Sequence, residues 1–317
     1  MAEAITAVVC TRNRGALVRG AARSILANGH PAFRLVVIDQ SANDESAAAL
    51  ADLRSDPRLV YVRSNTVGLS RARNISLRMV DTDVVAFTDD DCEVPGDWLA
   101  SLQAVLSEHP KVAVAFCSVL AGPHDESAGF VPAYVCEGTR ILRTLADKCT
   151  ARGIGAGVAV RRRALLELQG FDEELGPGAR FPACEDGDIA VRALLAGFEV
   201  CETDRTFVVH HGFRKWSEGR ALTRRDWTGI GAAYAKPFRA GHWGFAPVPL
   251  YELLVKAIWP PFDDVLHLRR PRGLARPLHF VRGFSKGLRA PFDRDHLVFR
   301  SAGVDGGRVS PAPSGTE

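Results

Sequence analysis

The chain contains no apolar run approaching the roughly 18 residues that a membrane-spanning helix requires, and no C-x-x-C pair occurs among its seven cysteines. Those cysteines, at positions 10, 92, 117, 136, 149, 184 and 201, are scattered and odd in number. They argue against both a disulfide framework and a zinc site, and they fit a reducing, bacterial-type cytosol. The opening residues Met1-Ala2-Glu3-Ala4-Ile5 lack a basic region, so no signal peptide is expected. No internal repeat is found. A nucleic-acid motif and the aromatic spacing of a base-stacking platform are also missing, so nucleic acid is not expected as a partner.

What is present is enough apolar sequence for a full core: 317 residues, 46% hydrophobic and 24% charged. That suits one large α/β domain with an extension. The net charge of +3 conceals an asymmetry. Residues 1–204 hold 21 Lys/Arg against 28 Asp/Glu, whereas residues 205–300 hold 18 against 7. The basic half suits an anionic lipid surface or an anionic substrate.

The first hundred residues alternate strand and helix signals. Strands are expected at 4–10, 34–39, 59–63 and 84–88, each followed by a short polar loop and a helix. Such repeated βα units imply a mostly parallel, Rossmann-like sheet flanked by helices. A further strand is expected at 111–119, and residues 121–150 read as a mobile loop with a helix. A glycine loop at 153–157 then enters a strand. Helices are expected at 161–169 and 185–196, followed by separate strands at 198–201 and 206–209. Beyond residue 212 the pattern turns helical, aromatic and basic. The apolar stretch 250–259 is expected to end at Pro260-Pro261, and residues 301–317 are expected to be disordered. The resulting organisation is an α/β domain at 1–212 with halves at 1–100 and 101–212, a basic helical extension at 213–300 and a tail at 301–317.

The chemistry is concentrated at the expected strand ends. Asp89-Asp90-Asp91 closes the run Val84-Val85-Ala86-Phe87-Thr88. Three carboxylates at one strand end repel one another unless a cation lies between them, and that edge of an open α/β sheet is where ligands bind. A Mg²⁺-like ion carried with a phosphorylated substrate meets both conditions. Thr11-Arg12-Asn13-Arg14, Asp39 with Asp44, and Arg71-Ala72-Arg73-Asn74 fall at the same edge. Taken singly, Asp39 could cap a turn, and Arg71 and Arg73 could be a solvated helix face; the shared placement favours a nucleoside-diphosphate site. An aspartate-nucleophile phosphotransferase would usually carry its D-x-D on the first strand, and an inactive nucleotide-sugar scaffold remains a further alternative.

The ordered set of motifs resembles one family. Val8-Val9-Cys10-Thr11-Arg12-Asn13-Arg14, Val37-Ile38-Asp39, Gly68-Leu69-Ser70-Arg71-Ala72-Arg73-Asn74, and Phe87-Thr88-Asp89-Asp90-Asp91 through Pro95-Gly96-Asp97-Trp98-Leu99 are similar to family 2 inverting glycosyltransferases of GT-A fold. Gly157-Val158-Ala159-Val160-Arg161-Arg162, Gly170-Phe171-Asp172-Glu173 and Glu185-Asp186-Gly187-Asp188 continue the match. The resemblance implies a nucleotide-diphosphate sugar donor, a divalent metal (Mg²⁺ or Mn²⁺) and a glycan or lipid-linked acceptor. Thr11, Arg14 and Asp39 would contact the nucleoside, with Asp39 on the base, and Arg71 or Arg73 would lie near the diphosphate. Asp89, Asp90 and Asp91 would form the metal and donor motif; the extra Asp90 leaves Asp90 or Asp91 as the direct ligand. His210 and His211 are candidates for an additional ligand. Asp186 becomes the catalytic base, and Gly157, Glu185 and Asp188 become candidate acceptor contacts. A cytoplasmic enzyme is expected, held peripherally at the inner membrane face by the basic extension.

Overall fold

The computed structural model describes residues 3–301. The expected disordered tail beyond Ser301 lies outside the described residues. In chain order the strands are β1 Ile5–Thr11, β2 Phe33–Asp39, β3 Leu59–Arg63, β4 Val84–Asp89, β5 Cys92–Glu93, β6 Val112–Ala121, β7 Gly129–Phe130, β8 Arg140–Leu142, β9 Val158–Arg161, β10 Glu199–His210, β11 Arg214–Lys215 and the antiparallel pair β12 Phe292–Asp293 and β13 Val298–Phe299. A nine-stranded sheet runs β3-β2-β1-β4-β9-β6-β10-β5, with β8 added against β10. Neighbours from β3 to β4 are parallel, as expected for βα units. β9 inserts antiparallel between β4 and β6.

The two sheet faces follow from the strand period of two. Ile5, Ala7 and Val9 of β1, with Leu35 and Val37 of β2, form one layer. It is closed by α1 (Gly15–Leu26) and α4 (Trp98–Glu108). Helix α1 contributes Val18, Ala21, Ala22 and Ile25, a spacing that places all four on one face. Val8, Val36 and Ile38 point the other way. They meet α3 (Leu69–Met79) and α6 (Glu185–Leu195), with α2 (Glu45–Ala49) and α5 (Arg162–Glu167) completing the crossovers. Gly68 opens α3 at φ +124°, a backbone that side chains rarely adopt, and there Leu69 N–H donates to the Pro177 carbonyl at 3.0 Å.

Two expectations change. The strands expected at 198–201 and 206–209 are one strand, β10, because the polar break at Asp204-Arg205 is an irregularity in its pairing with β6 and not an end. The extension contains α7 (Gly219–Arg239), α8 (Pro247–Tyr251), a π-helical turn at Glu252–Ile258, α9 (Trp259–Leu266) and α10 (Arg276–Arg289). Pro260-Pro261 therefore does not end the helical run. The prolines sit in the first turn of α9, directly after the π-helical turn, and the run continues through them to Leu266.

Helix α7 fastens the extension to the sheet domain through buried charge. Lys236 Nζ lies 2.6 Å from both Asp172 and Asp188. Asp188 also accepts from Arg192 Nε at 2.8 Å. Arg192 donates onward to the Leu168 and Gly170 carbonyls, each at 2.6 Å. All four charged groups are buried.

Candidate active site

Strand register explains why distant sequence clusters meet. Thr11 pairs with Asp39 across β1 and β2, and Cys10 pairs with Asp89 across β1 and β4. All three loops therefore leave the sheet at one edge. On the other side, β10 runs the full depth of the sheet and delivers His210 opposite Cys92 of β5. A cleft of about 400 Å³ opens between them. Its wall includes Thr11, Arg14, the three aspartates and His210.

Within it the aspartates have different partners. Asp90 accepts from Thr11 Oγ1 at 2.7 Å and from Arg14 at 2.6 Å. Asp91 accepts from the other Arg14 nitrogen at 2.7 Å and lies 3.3 Å from His210 Nε2. Asp89 faces Arg73 at 3.4 Å. Burial pushes Asp89 above the usual carboxylate range against the pull of Arg73. The same cause lifts Asp90 to about 6 despite Arg14 and Thr11. Burial also opposes ionisation of Asp91, but the His210 hydrogen bond, the imidazolium charge and Arg14 prevail and lower it to about 2. For His210, burial favours the neutral ring, yet Asp91 and the Pro132 carbonyl outweigh it and raise the pKa.

Ligand atoms of Asp91, Cys92 and His210 lie within 4.8 Å of one another. Burial raises the Cys92 thiol well above its ordinary value and disfavours the thiolate, whereas Asp91 and His210 offer an oxygen and a nitrogen donor. That donor set fits a hard or borderline divalent ion such as Mg²⁺ or Mn²⁺. Asp89 and Asp90 stand beside this pair at the same strand end, where a divalent ion would offset the repulsion of adjacent carboxylates. His211 does not join them: its ring turns to Glu93, 3.9 Å away.

Asp186 begins α6 together with Glu185, after Cys184 in a left-handed conformation. Its two oxygens accept from the Gly155 and Gly187 N–H groups at 3.0 and 2.7 Å. The Gly155 carbonyl accepts from Arg73 at 3.0 Å. One residue, Gly155, thus connects Asp186 through Arg73 to Asp89. Asp186 lines a small void with Gly153 and Glu202, set apart from the wall of the larger cleft. Glu185 is buried 3.8 Å from Arg73. Desolvation raises its pKa, and the neighbouring Asp186 charge adds to the rise.

Several expected contacts are committed elsewhere. Asp188 is spent on Arg192 and Lys236 inside the protein, which removes it as an acceptor contact. Arg71 turns to Glu173 and Glu174, at 3.5 and 3.6 Å, and away from the cleft. Arg73 is buried behind Asp89, between the Phe87 and Phe171 rings, with one guanidinium nitrogen lacking a hydrogen-bond partner. It positions groups and does not face a diphosphate. Gly157 backs onto the Cys117 side chain, so its missing Cβ serves packing against β6. Asp39 is fully buried, accepting from the Tyr61 hydroxyl at 2.6 Å and the Ser41 N–H at 2.8 Å; its neighbour Gln40 is the residue that faces the cleft.

The sequence reading placed Arg12 with Arg14 at this edge but missed Arg214 and Arg225, the cations that take the place of Arg71 and Arg73. Arg12, Arg214 and Arg225 line the cleft with Arg14. Arg214 follows the histidine doublet on β11, and Arg225 comes from α7. The basic surplus after residue 205 was the available signal.

Similar proteins agree with this architecture. The mannosyltransferase PcManGT from Pyrobaculum calidifontis superposes with a TM-score of 0.61 at 20% identity, covering 90% of this chain and 86% of that one. Residues 1-349 of S. aureus TarS, solved with UDP-GlcNAc, superpose with a TM-score of 0.59 at 14% identity, covering 93% and 83%. Both share the GT-A fold. Glycosyltransferase GlyA of Streptococcus pneumoniae is 26% identical over 108 residues, 34% of this chain and 16% of GlyA. The succinoglycan biosynthesis protein ExoM of Rhizobium meliloti is 35% identical over 99 residues, 30% of this chain and 32% of ExoM. The matched stretch thus spans a third or less of either curated relative. The profile of glycosyl transferase family 2 matches residues 6–168, just over half of the chain, and the protein is therefore a glycosyltransferase belonging to that family.

Proposed function

We propose that the protein transfers a hexose-type sugar from a nucleotide-diphosphate donor to a hydroxyl on a glycan or lipid-linked acceptor, with inversion at the anomeric carbon. One observation carries this reading: three aspartates, His210 and four arginines converge on a single cleft at the ligand-binding edge of the sheet. PcManGT was solved with GDP-Man and Mn²⁺, and TarS with UDP-GlcNAc, so proteins of this fold hold such donors. An aspartate-nucleophile phosphotransferase is disfavoured because the triplet ends the fourth strand and Asp90 is engaged by Thr11 and Arg14. Family membership disfavours an inactive scaffold.

Asp91 and His210 would hold the divalent ion, with Asp89 and Asp90 beside it. When bound, such an ion neutralises charge on a leaving diphosphate. Arg12, Arg14, Arg214 and Arg225 offer bidentate donors to phosphate oxygens. Thr11 and Gln40 border the nucleoside, and Asp39 sets the loop carrying Gln40. Asp186, oriented by two backbone N–H groups, takes the acceptor hydroxyl proton as that oxygen attacks C1. The bond from C1 to the phosphate oxygen breaks on the opposite face, and its electron pair leaves with the nucleoside diphosphate.

A panel of UDP-, GDP- and dTDP-sugars tests the reading through nucleotide release. One donor should be consumed with Mg²⁺ or Mn²⁺ and not in chelator. Asp91→Ala should lose more metal-dependent donor binding than Asp90→Ala. Full turnover in chelator, or in the Asp89/Asp90/Asp91 triple alanine variant, sinks the metal assignment.

The extension adds peripheral membrane contact to this proposal. No described helix is long and apolar enough to cross a membrane. Yet Leu250, Leu254, Trp259, Phe262, Leu266 and Leu268 are each more than half exposed, and Arg269, Arg270 and Arg272 follow them. Apolar side chains flanked by cations suit an anionic bilayer surface. Sedimentation with anionic liposomes should fall steeply as salt is raised. Equal sedimentation with neutral liposomes, or none with either, contradicts the contact.

A further inference from the structure

A second, larger groove of about 1060 Å³ lies beside the active-site cleft, between α7 and the start of α10. Phe130, Trp216, Arg220, Arg272, Arg276 and His279 give it its chemistry. None of these residues has a role in the transfer reaction described above.

The groove begins where the cleft ends. Arg214 and Arg225 line the cleft, and Asp226 lines the groove. Asp226 accepts from Arg225 Nε at 2.8 Å and lies 4.0 Å from Arg214. A single ion cluster therefore forms the partition. At its other end the groove reaches Leu274, and the adjoining surface carries Leu268 and Leu278, all at least half exposed. It thus joins the proposed chemistry to the proposed membrane face.

Its wall is built for a flat apolar surface beside an anion. The Phe130 and Trp216 rings stack at 5.0 Å and 29°. The pairing of β7 with β11 fixes their spacing. Trp216 Nε1 already donates to the Glu126 carbonyl at 2.9 Å, yet half of the residue is exposed. What it offers is a ring face, suited to the C–H face of a sugar or to an isoprenoid chain. Opposite are cations without matching acids. Among the described residues neither the Arg220 nor the Arg272 side chain has an ion-pair partner, and Arg276 stands beside them over the Trp227 ring with one Nη donating to the Lys256 carbonyl at 3.1 Å. Asp226 is occupied at the partition, leaving Glu126 as the remaining acid in the wall. Unpaired guanidinium groups beside an aromatic wall fit phosphate oxygens.

We propose that this groove is the acceptor site and that its ligand is a sugar joined through phosphate to an apolar chain. The chain leaves across Leu274 toward the bilayer, the phosphate meets Arg220, Arg272 and Arg276, and the sugar lies on Trp216, directed at the cleft. The proposal rests on the transfer reaction assigned to that cleft, but its test does not require turnover.

The probe is farnesyl diphosphate below its micelle concentration, titrated calorimetrically into the full chain, with farnesol and inorganic pyrophosphate as controls. One saturable site is expected, binding at least tenfold more tightly than either control. Leu274→Asp, on the path of the chain, and the Arg220→Glu/Arg272→Glu double variant alter exposed side chains and should each weaken binding tenfold or more. Arg14→Ala, in the donor cleft, should leave it unchanged. Absence of saturable binding overturns the proposal. So does binding lost in Arg14→Ala but intact in the groove variants, because the diphosphate then occupies the donor cleft. Pyrophosphate binding as tightly as the full probe excludes recognition of the lipid chain. Failure of the transfer chemistry alone would leave all these affinities as expected.

Discussion

Asp186→Asn retains donor and metal binding and loses on the order of 10²- to 10⁴-fold in turnover, the usual size of a general-base contribution. The substitution keeps the shape of the side chain and one accepting oxygen, so only one of the hydrogen bonds from Gly155 and Gly187 is kept and the other donor meets the new NH2. What it removes is basicity, which is needed only as the acceptor hydroxyl attacks C1. The loss should therefore fall on turnover and not on donor affinity. Gln40→Ala, at the cleft wall, should show the reverse pattern, with weaker donor binding and a smaller loss at saturation. Glu185 provides a sharp control, because burial and the adjacent Asp186 raise its pKa toward the range of a working base. If Glu185→Gln abolishes turnover while Asp186→Asn is nearly normal, the two residues exchange roles. Loss of donor binding in Asp186→Asn would instead make that residue a structural or ligand-contact group.

Lys236→Met destabilises the fold by about 3–5 kcal/mol, the range for removing one partner from a buried ion pair. Lys236 is buried with its Nζ 2.6 Å from both Asp172 and Asp188. Without it Asp188 keeps only Arg192, and Asp172 keeps only the backbone N–H donors of Glu174 and Phe299. Methionine fills similar space, so the effect is mainly electrostatic. Asp172 also accepts from the Phe299 N–H at 2.9 Å, so the loss should loosen the last described strand pair as well. Urea unfolding checks the value. Asp172→Asn in the Lys236→Met background should recover part of it by removing an unpaired charge. A loss below about 1 kcal/mol, the scale of an exposed pair, would contradict the buried network.

The aspartate edge was legible because its cause is local. Runs such as Val84-Val85-Ala86-Phe87 announce buried strands, and in-register parallel pairing then forces their ends together. The position of the chain reversal was enough to bring Thr11, Asp39 and Asp89 to one edge. The ion-pair partners were not legible, because no local pattern encodes a partner on a remote helix. Asp188 looks like a second acid of a catalytic motif until α7 places Lys236 against it, and Arg71 looks free until Glu173 and Glu174 arrive from the G-F-D loop. Arg214 and Arg225 were missed for the same reason. They enter the cleft only because β10 spans the sheet and α7 returns along it. Histidine followed the opposite course: the doublet was visible, but only strand direction separates His210, facing Asp91, from His211, facing Glu93.

The central claim is a single displacement at C1, with Asp186 receiving the proton. The anomeric configuration of the product, read by proton NMR before any mutarotation, tests it most directly. Starting from an α-linked nucleotide sugar, the account predicts a β-linked product in the presence of Mg²⁺ or Mn²⁺. An α-linked product would contradict it, because retention requires a second displacement or a different attacking face, and neither is available to one base acting opposite the leaving diphosphate.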